Sequence, residues 1–522
     1  MPLASQLSYN ILAVPPTEAI RPAIVVLILT AIVLALVARW TRDLALASAL
    51  VSVGSIVFFV HGHIYTLMLA ALDASGVPSS FPSLAPALVI VPHLVLFACE
   101  VLCVLAVARL IGRTEQNVAT ANRFLLGLSV LALAIPVIQI GAYYVHRETP
   151  TATAGPLPAA GSHPGLGSTG SLPDVYYIIL DGYGRADMLK EGYDVDTSAF
   201  LDALRSMGFQ VADQSTSNYG FTLLSLTSSL NMVYLDDLVG PLTPETPFGN
   251  VVDSLVPKLR NSAVRQYFES HGYRTVAFAT GFSWTDLYNA DEYKQPSFQG
   301  IGAFESILIR TSMLGMVEDV ASAIGLPYPY SGYGAHRKRI TYALDELPKV
   351  AAEPGPKFVF VHLVLPHPPF SFDRNGDPYP ERHAYTIGDA TEYGGMPDEY
   401  IHGYREGVLF IDHAIIPVLQ GIVDQSAVPP VILLQGDHGP GARLDWDHPT
   451  PRALAERMAI LNAYYIPASY GVVVPQTITP VNSFRMVLRD VLGADIAMLP
   501  DRASYSSHNH PYQFIPYQEQ TP

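Results

Sequence analysis

The chain is short of charge. Asp, Glu, Lys and Arg make up only 15% of its 522 residues, where a soluble protein carries about a quarter. With 49% hydrophobic residues and a mean hydropathy of +0.26, that shortage places part of the chain in lipid. It also excludes disorder for most of it, because so apolar a chain does not stay solvated. The length implies more than one domain. Cysteine is nearly absent. Cys99 and Cys103 stand one helical turn apart in an apolar run, so no disulfide framework or zinc-finger spacing exists; they are expected as small hydrophobes on one face of a membrane helix. Charge is also unevenly spread. Residues 1–148 hold 7 of the 30 Lys+Arg and 6 of the 46 Asp+Glu, a balance of +1, which leaves 23 against 40 and a balance of −17 for the remainder. So acidic a soluble part releases no counterions from phosphates, and nucleic acid is excluded as a partner.

What is present begins with four long apolar stretches, at 22–38, 44–72, 85–108 and 124–145. Each meets or approaches the ~20 residues needed to cross a bilayer core. The first starts late for a signal peptide and three more follow, so it is expected to be retained. Arg39, Arg42, Arg109, Arg113 and Arg123 mark the cytoplasmic loops, against Arg21 and Arg147 on the other side. Both ends of this membrane domain, 1–148, then face outward. The expected location is the cell membrane, multi-pass, with everything after residue 148 outside the cytoplasm. Glu100, inside the third stretch near His93 and Pro92, is an ionisable group at membrane depth, and hence a functional candidate or else a protonated or hydrogen-bonded helix contact. Residues 149–173 are uncharged and rich in Pro, Gly, Ser, Thr and Ala, the composition of a flexible spacer.

From 174 to 522 the pattern becomes α/β. The short apolar runs DVYYIIL (174–180), RTVAFAT (274–280), FVFVHLVL (358–365) and VILLQ (431–435) alternate with helical spacing at 196–209, 258–273 and near 398–424. Such alternation predicts a mainly parallel sheet with helices on both faces. Sites in such sheets gather beyond the carboxyl ends of the strands.

Three places there carry chemistry. Asp181 follows the first strand directly, in LDGYGR, where a carboxylate beside glycine can hold a cation or merely form a turn. Thr222 heads a segment of apolar and hydroxyl residues, SNYGFTLLSLTSSLNM; its hydroxyl can meet unpaired N–H groups that hold an anionic ester, or cap the helix. Asp437 and His438 follow the strand VILLQ and precede Gly-Pro-Gly, an acid–imidazole pair able to share one metal ion.

Taken in order, Asp181, Thr222 and the Asp437-His438 pair in GDHG resemble the alkaline phosphatase superfamily in its sulfatase-like branch, over most of residues 174–470. The resemblance implies that Asp181, Asp437 and His438 bind one divalent metal ion (Mn, Zn or Mg) together with the oxygen of the nucleophile Thr222. It also implies catalytic roles for His367, in LPHPPF, and His448, in LDWDHP, while His362 in the same segment as His367 either contacts substrate or packs in the sheet. Arg185, four residues past Asp181, can pair with a substrate oxyanion or form a surface salt bridge. The tail histidines His508 and His510 can reach a site, though such residues are usually solvated. A threonine hydroxyl needs a base or a metal to react at neutral pH, so the set is chemically coherent.

Departures from the pattern narrow the branch. NYGFT stands where formylglycine sulfatases carry a Cys or Ser in C/S-x-P-x-R. The additional Asp and His of two-metal phosphatases are missing, since Asp412-His413 falls mid-helix. One metal, a threonine and several membrane spans are similar to lipoteichoic acid synthases and phosphoethanolamine transferases, although those usually have Glu in place of Asp181 and five spans. The expected activity is transfer of a phospholipid headgroup, or of another anionic ester group, to a glycan or lipid acceptor. The alternatives are a sulfatase-like hydrolase or phosphodiesterase, and a degenerate membrane-tethered binding protein.

Overall fold

The structure is a computed structural model that describes residues 2–9, 19–74, 85–146, 172–238, 242–296, 303–324, 332–381 and 385–518. The spacer expected at 149–173 lies outside these except for its last two residues. The chain forms two compact units, one of residues 1–148 with 300–335 and one of 149–299 with 336–522.

In the first unit, helices Ile20–Thr41, Leu44–Ala74, Ala85–Ile111 and Glu115–His146 match the four apolar stretches, and all are long and apolar enough to cross a membrane. They are hydrophobic all round, with Leu27, Leu36, Leu102 and Ile138 exposed, as expected for helices surrounded by lipid. Two short helices, Ala303–Thr311 and Gly315–Ala323, belong to this unit despite their place in the sequence. The Met313 N–H donates to the Phe58 carbonyl (2.8 Å), and a Cβ on Gly62 would lie 2.2 Å from the Arg310 carbonyl oxygen, so only glycine admits this approach. Beside that contact runs a line of polar groups, buried at Glu100, His61 and His93 and partly exposed at Asp319. Glu100 Oε2 lies 2.8 Å from His61 Nδ1, His61 Nε2 lies 3.1 Å from His93 Nδ1, and His93 Nε2 lies 3.1 Å from Asp319 Oδ2.

The second unit is built on a seven-stranded sheet: β1 Val175–Leu180, β2 Phe209–Val211, β3 Arg274–Phe278, β4 Glu292–Lys294, β5 Lys357–Leu363, β6 Val431–Gln435 and β7 Asn462–Tyr465. Their order is β2-β7-β6-β1-β5-β3-β4. β1, β3, β4, β5 and β6 pair in parallel, and β7 pairs antiparallel with both β6 and β2. Alternation along β1 builds two cores. Val175, Tyr177 and Ile179 pack with the helices Thr222–Asn231, Ala263–Ser270 and Pro480–Asp490 on one face. Tyr176, Ile178 and Leu180 pack with Ser198–Ser206, Gly332–Ala351 and Pro397–Gln425 on the other. Pro397–Gln425 also has the length and apolarity of a span, but Tyr404, Val408, Ile411 and Ile415 bury one side of it on the sheet.

The mainly parallel, two-sided α/β architecture is as expected, with two differences of detail. The helical stretch at 258–273 is broken, because Ser262 accepts the Arg265 N–H and starts a new helix after Arg260. The reversed strand β7 was not anticipated from the alternation.

Candidate active site

The central strands β6, β1 and β5 run side by side in parallel and release their chains at the same edge of the sheet. Asp181 follows β1, His367 follows β5, and Asp437 and His438 follow β6, so one topology delivers four chemically active side chains to one place. His362 comes from within β5. Asp181, His362 and Asp437 offer ligand atoms within 4.8 Å of one another, as do Asp181, His367 and His438, and all are buried.

Thr222 enters from the neighbouring layer as the first residue of its helix. Phe221 is the N-cap and supplies no side-chain bond. The threonine hydroxyl therefore does not cap the helix; it lies 3.1 Å from His438 Nε2. The first-turn N–H groups behind it form an anion-favouring end of the helix.

The donor set fits a cation. Asp181 Oδ1 and Asp437 Oδ2 are buried with no hydrogen-bond partner, Asp181 Oδ2 is met only by the His362 imidazole, and Asp437 Oδ1 accepts the Gly182 N–H (3.1 Å). Buried carboxylate oxygens left in this way are costly unless a positive charge meets them. His438 Nδ1 sits 2.9 Å from the Gly439 carbonyl. That contact assigns the proton to Nδ1 and leaves the Nε2 lone pair facing Asp181 and Asp437, each at 3.5 Å. His367 is fixed likewise, with Nδ1 2.5 Å from the Pro368 carbonyl. His362 Nε2 lies 3.1 Å from Asp181 Oδ2, with its Nδ1 on Thr285 Oγ1 at 2.9 Å.

Electrostatics agree with that placement. Burial works to raise the Asp181 carboxyl, but His367, His362 and His438 outweigh it and hold it below the usual carboxylate range. Burial, reinforced by Arg457, pushes the His438 imidazole down, toward the neutral form a ligand requires. His362 is pushed up, because Asp181 overcomes the effect of burial.

Two residues with no signal in the sequence join the site. The Arg457 guanidinium is buried and held by the Gly220 carbonyl (2.7 Å), the Gly439 carbonyl (3.0 Å) and the Asp389 carboxylate. Its NH2 lies 3.3 Å from His438 Nε2. Asp389 in turn lies 3.6 Å from His367 Nε2, and although burial opposes it, Arg457 and His367 keep its carboxyl well below the usual range. Thr222, His367, His438, Asp389 and Arg457 line a cavity of about 280 Å³. His508 reaches it as well, whereas His510 remains at the surface.

His448 and Arg185 are not brought to this cluster. His448 is exposed, its backbone N–H turned onto Asp445 Oδ1 (3.0 Å). Arg185 is clamped by Asp187, with both contacts at 2.8 Å, and lines a separate cavity with Thr197 and Asn462.

A family model described as Sulfatase matches residues 173–461, and the chain belongs to that family, whose members depend on metal. Curated proteins return no match to this sequence. Among solved structures, it resembles the C-terminal periplasmic domain of EptC from Escherichia coli at 16% identity, covering 70% of this chain and 97% of that one, with a TM-score of 0.42. It resembles the integral membrane lipooligosaccharide phosphoethanolamine transferase A of Neisseria meningitidis at 14% identity, covering 77% and 69%, with a TM-score of 0.43. A 2-O GAG sulfatase, BT1596, is similar at 11% identity over 64% and 73%, with a TM-score of 0.36.

Proposed function

We propose that the protein is a membrane-anchored phosphotransferase that takes the headgroup of a phospholipid onto Thr222 and passes it to a glycan or lipid hydroxyl. The observation that carries this reading is the position of the Thr222 hydroxyl, at an uncapped helix N-terminus, 3.1 Å from His438 Nε2. Asp181, Asp437 and His438 would hold one divalent ion, which when bound lowers the pKa of a hydroxyl and polarises a phosphoryl oxygen. This chain's own groups do the rest. The helix N-terminus and the Arg457 NH2 receive the phosphoryl oxygens, and His367 Nε2 faces the alcohol that departs.

In the first half-reaction Thr222 Oγ1 bonds to phosphorus and the bond from phosphorus to the diacylglycerol oxygen breaks. Thr222 gives up one proton and the leaving alcohol gains one. The acceptor hydroxyl reverses both changes in the second half. Hydrolysis follows the same route with water as acceptor, and a membrane anchor favours transfer because it holds the site close to a lipid donor. Helices 20–146 form that anchor, with residues 174–299 and 336–522 outside the cytoplasm.

Intact mass measured after incubation with mixed phospholipid vesicles and Mn²⁺ tests the reading. A gain equal to one headgroup phosphate is expected in the wild-type protein and none in Thr222→Ala. A gain of equal size in both would remove Thr222 from the reaction.

A further inference from the structure

The cavity in front of Thr222 has an aromatic corner that the transfer chemistry does not require. Phe221 and Trp446 stack with ring centroids 4.2 Å apart and planes 9° apart. Phe248 and His508 form a second stack, at 4.7 Å and 25°. The two walls meet near a right angle: His508 stands at 80° to Phe221 and at 72° to Trp446. Trp284 extends the second wall beside Phe248, at 5.5 Å. All five rings line the same cavity as the nucleophile.

Charge on this side of the cavity is negative or neutralised. His508 Nδ1 lies 2.9 Å from Glu392 Oε1, and Glu392 is itself at the cavity. The other lining acid, Asp389, is committed to Arg457. No lysine lines the cavity among the described residues. A group seated in the corner therefore meets π faces at right angles and a carboxylate, with no free ammonium to repel a cation. Perpendicular aromatic walls attract a cation through the ring quadrupoles while accepting its methyl groups as apolar surface, and a quaternary ammonium is the ion such a corner suits best.

We propose that this corner selects phosphodiesters carrying a quaternary ammonium, seating a choline-type headgroup against Phe221, Phe248 and the His508–Glu392 pair with its phosphorus turned to Thr222. This rests on the phosphotransfer reading above. The phosphocholine portion stays on Thr222 Oγ1, the bond to the other alcohol breaks, and the proton lost by threonine equals the one gained by that alcohol.

The test uses the full chain in detergent, with Mn²⁺ and a Trp40→Phe background that leaves Trp284 and Trp446 as the only tryptophans, excited selectively at the red edge of indole absorption. Tetramethylammonium should change that fluorescence saturably, and the change should be lost in Phe248→Ala. Turnover is then compared for p-nitrophenyl phosphocholine and for its neutral isostere, the p-nitrophenyl 3,3-dimethylbutyl phosphodiester. A kcat/KM preference of about ten-fold for the cationic ester is expected, falling toward one in Glu392→Gln and in Phe248→Ala. Phosphatidylcholine vesicles and glycerophosphocholine, tested by intact mass, then separate a lipid donor from a soluble one. Turnover of both chromogenic esters with equal kcat/KM would overturn the corner and leave the transfer reading standing. Saturable tetramethylammonium binding without turnover of either ester would remove the transfer reading and keep the cation site. Absence of both would remove the two together.

Discussion

Arg457 joins Asp389 to His438: its NH1 pairs with the Asp389 carboxylate and its NH2 lies 3.3 Å from His438 Nε2. Both members of the ion pair are buried, so the arginine holds the site together as well as contributing charge to it. Arg457→Met should leave the buried Asp389 carboxylate with only the more distant His367 to oppose its charge and cost about 3 kcal/mol of stability. Adding Asp389→Leu should recover most of that loss, while turnover remains at least ~10²-fold down in both variants. Thermal unfolding and single-turnover rates check this, and a fully active Arg457→Met protein would contradict it.

The unpartnered Oδ1 of Asp181 and Oδ2 of Asp437 predict a stability that depends on metal. An ion that binds only the folded protein adds about 2.7 kcal/mol at a hundred times its Kd. Mn²⁺ or Zn²⁺ should therefore raise the melting temperature of the wild-type protein by several degrees. The rise should vanish in Asp437→Asn and in His438→Ala, along with bound metal measured by elemental analysis. An undiminished shift in Asp437→Asn would place the ion elsewhere.

The parts of this site that were legible in the sequence are those fixed by one strand and its terminus. Buried parallel strands are apolar throughout, so VYYIIL and VILLQ stand out and the acids that follow them fall where sites gather. Asp389 and Arg457 were not legible. One lies in a loop and the other in a short helix, and only the tertiary fold brings them together. His448 lies away from the cluster, since closeness in sequence to His438 does not set the direction of a loop. Asp445 Oδ1 accepts the N–H groups of both Asp447 and His448, and that turn directs the imidazole into solvent. β7 escaped notice because NAYY is short and its reversal depends on pairing with β6 and β2.

Tyr183 donates its hydroxyl to Asp412 Oδ1 at 2.6 Å, under the loop that carries Asp181. Burial pushes the Asp412 carboxyl up to about 7, and the tyrosine bond only partly offsets this. The folded protein thus keeps a proton that the unfolded chain releases near pH 4. The associated stability is fully present below about pH 4 and is lost as pH rises through about 7, by up to roughly 4 kcal/mol. Asp412→Asn keeps the acceptor and removes the titration. The variant should melt well above the wild-type protein at pH 8 and close to it at pH 4.5. Parallel melting curves for the two proteins across that range would refute the assignment.

The line Glu100–His61–His93–Asp319 ties the two short helices at 303–323 to the apolar helices of the first unit through side chains buried at both histidines and at Glu100. In such surroundings each link matters more for the partner it satisfies than for its own strength. His93→Leu should leave Asp319 with only Arg310, on its own pair of short helices, as a partner and weaken the attachment, so that protease cleavage within 312–324 of the detergent-solubilised full chain rises several-fold. His61→Leu alone should destabilise the unit by leaving Glu100 without its partner. The double variant His61→Leu/Glu100→Leu should regain much of that stability, because two apolar side chains of suitable size replace a polar pair. If the line serves only as packing, the single and double variants will lose stability additively, and cleavage in His93→Leu will match the wild-type protein.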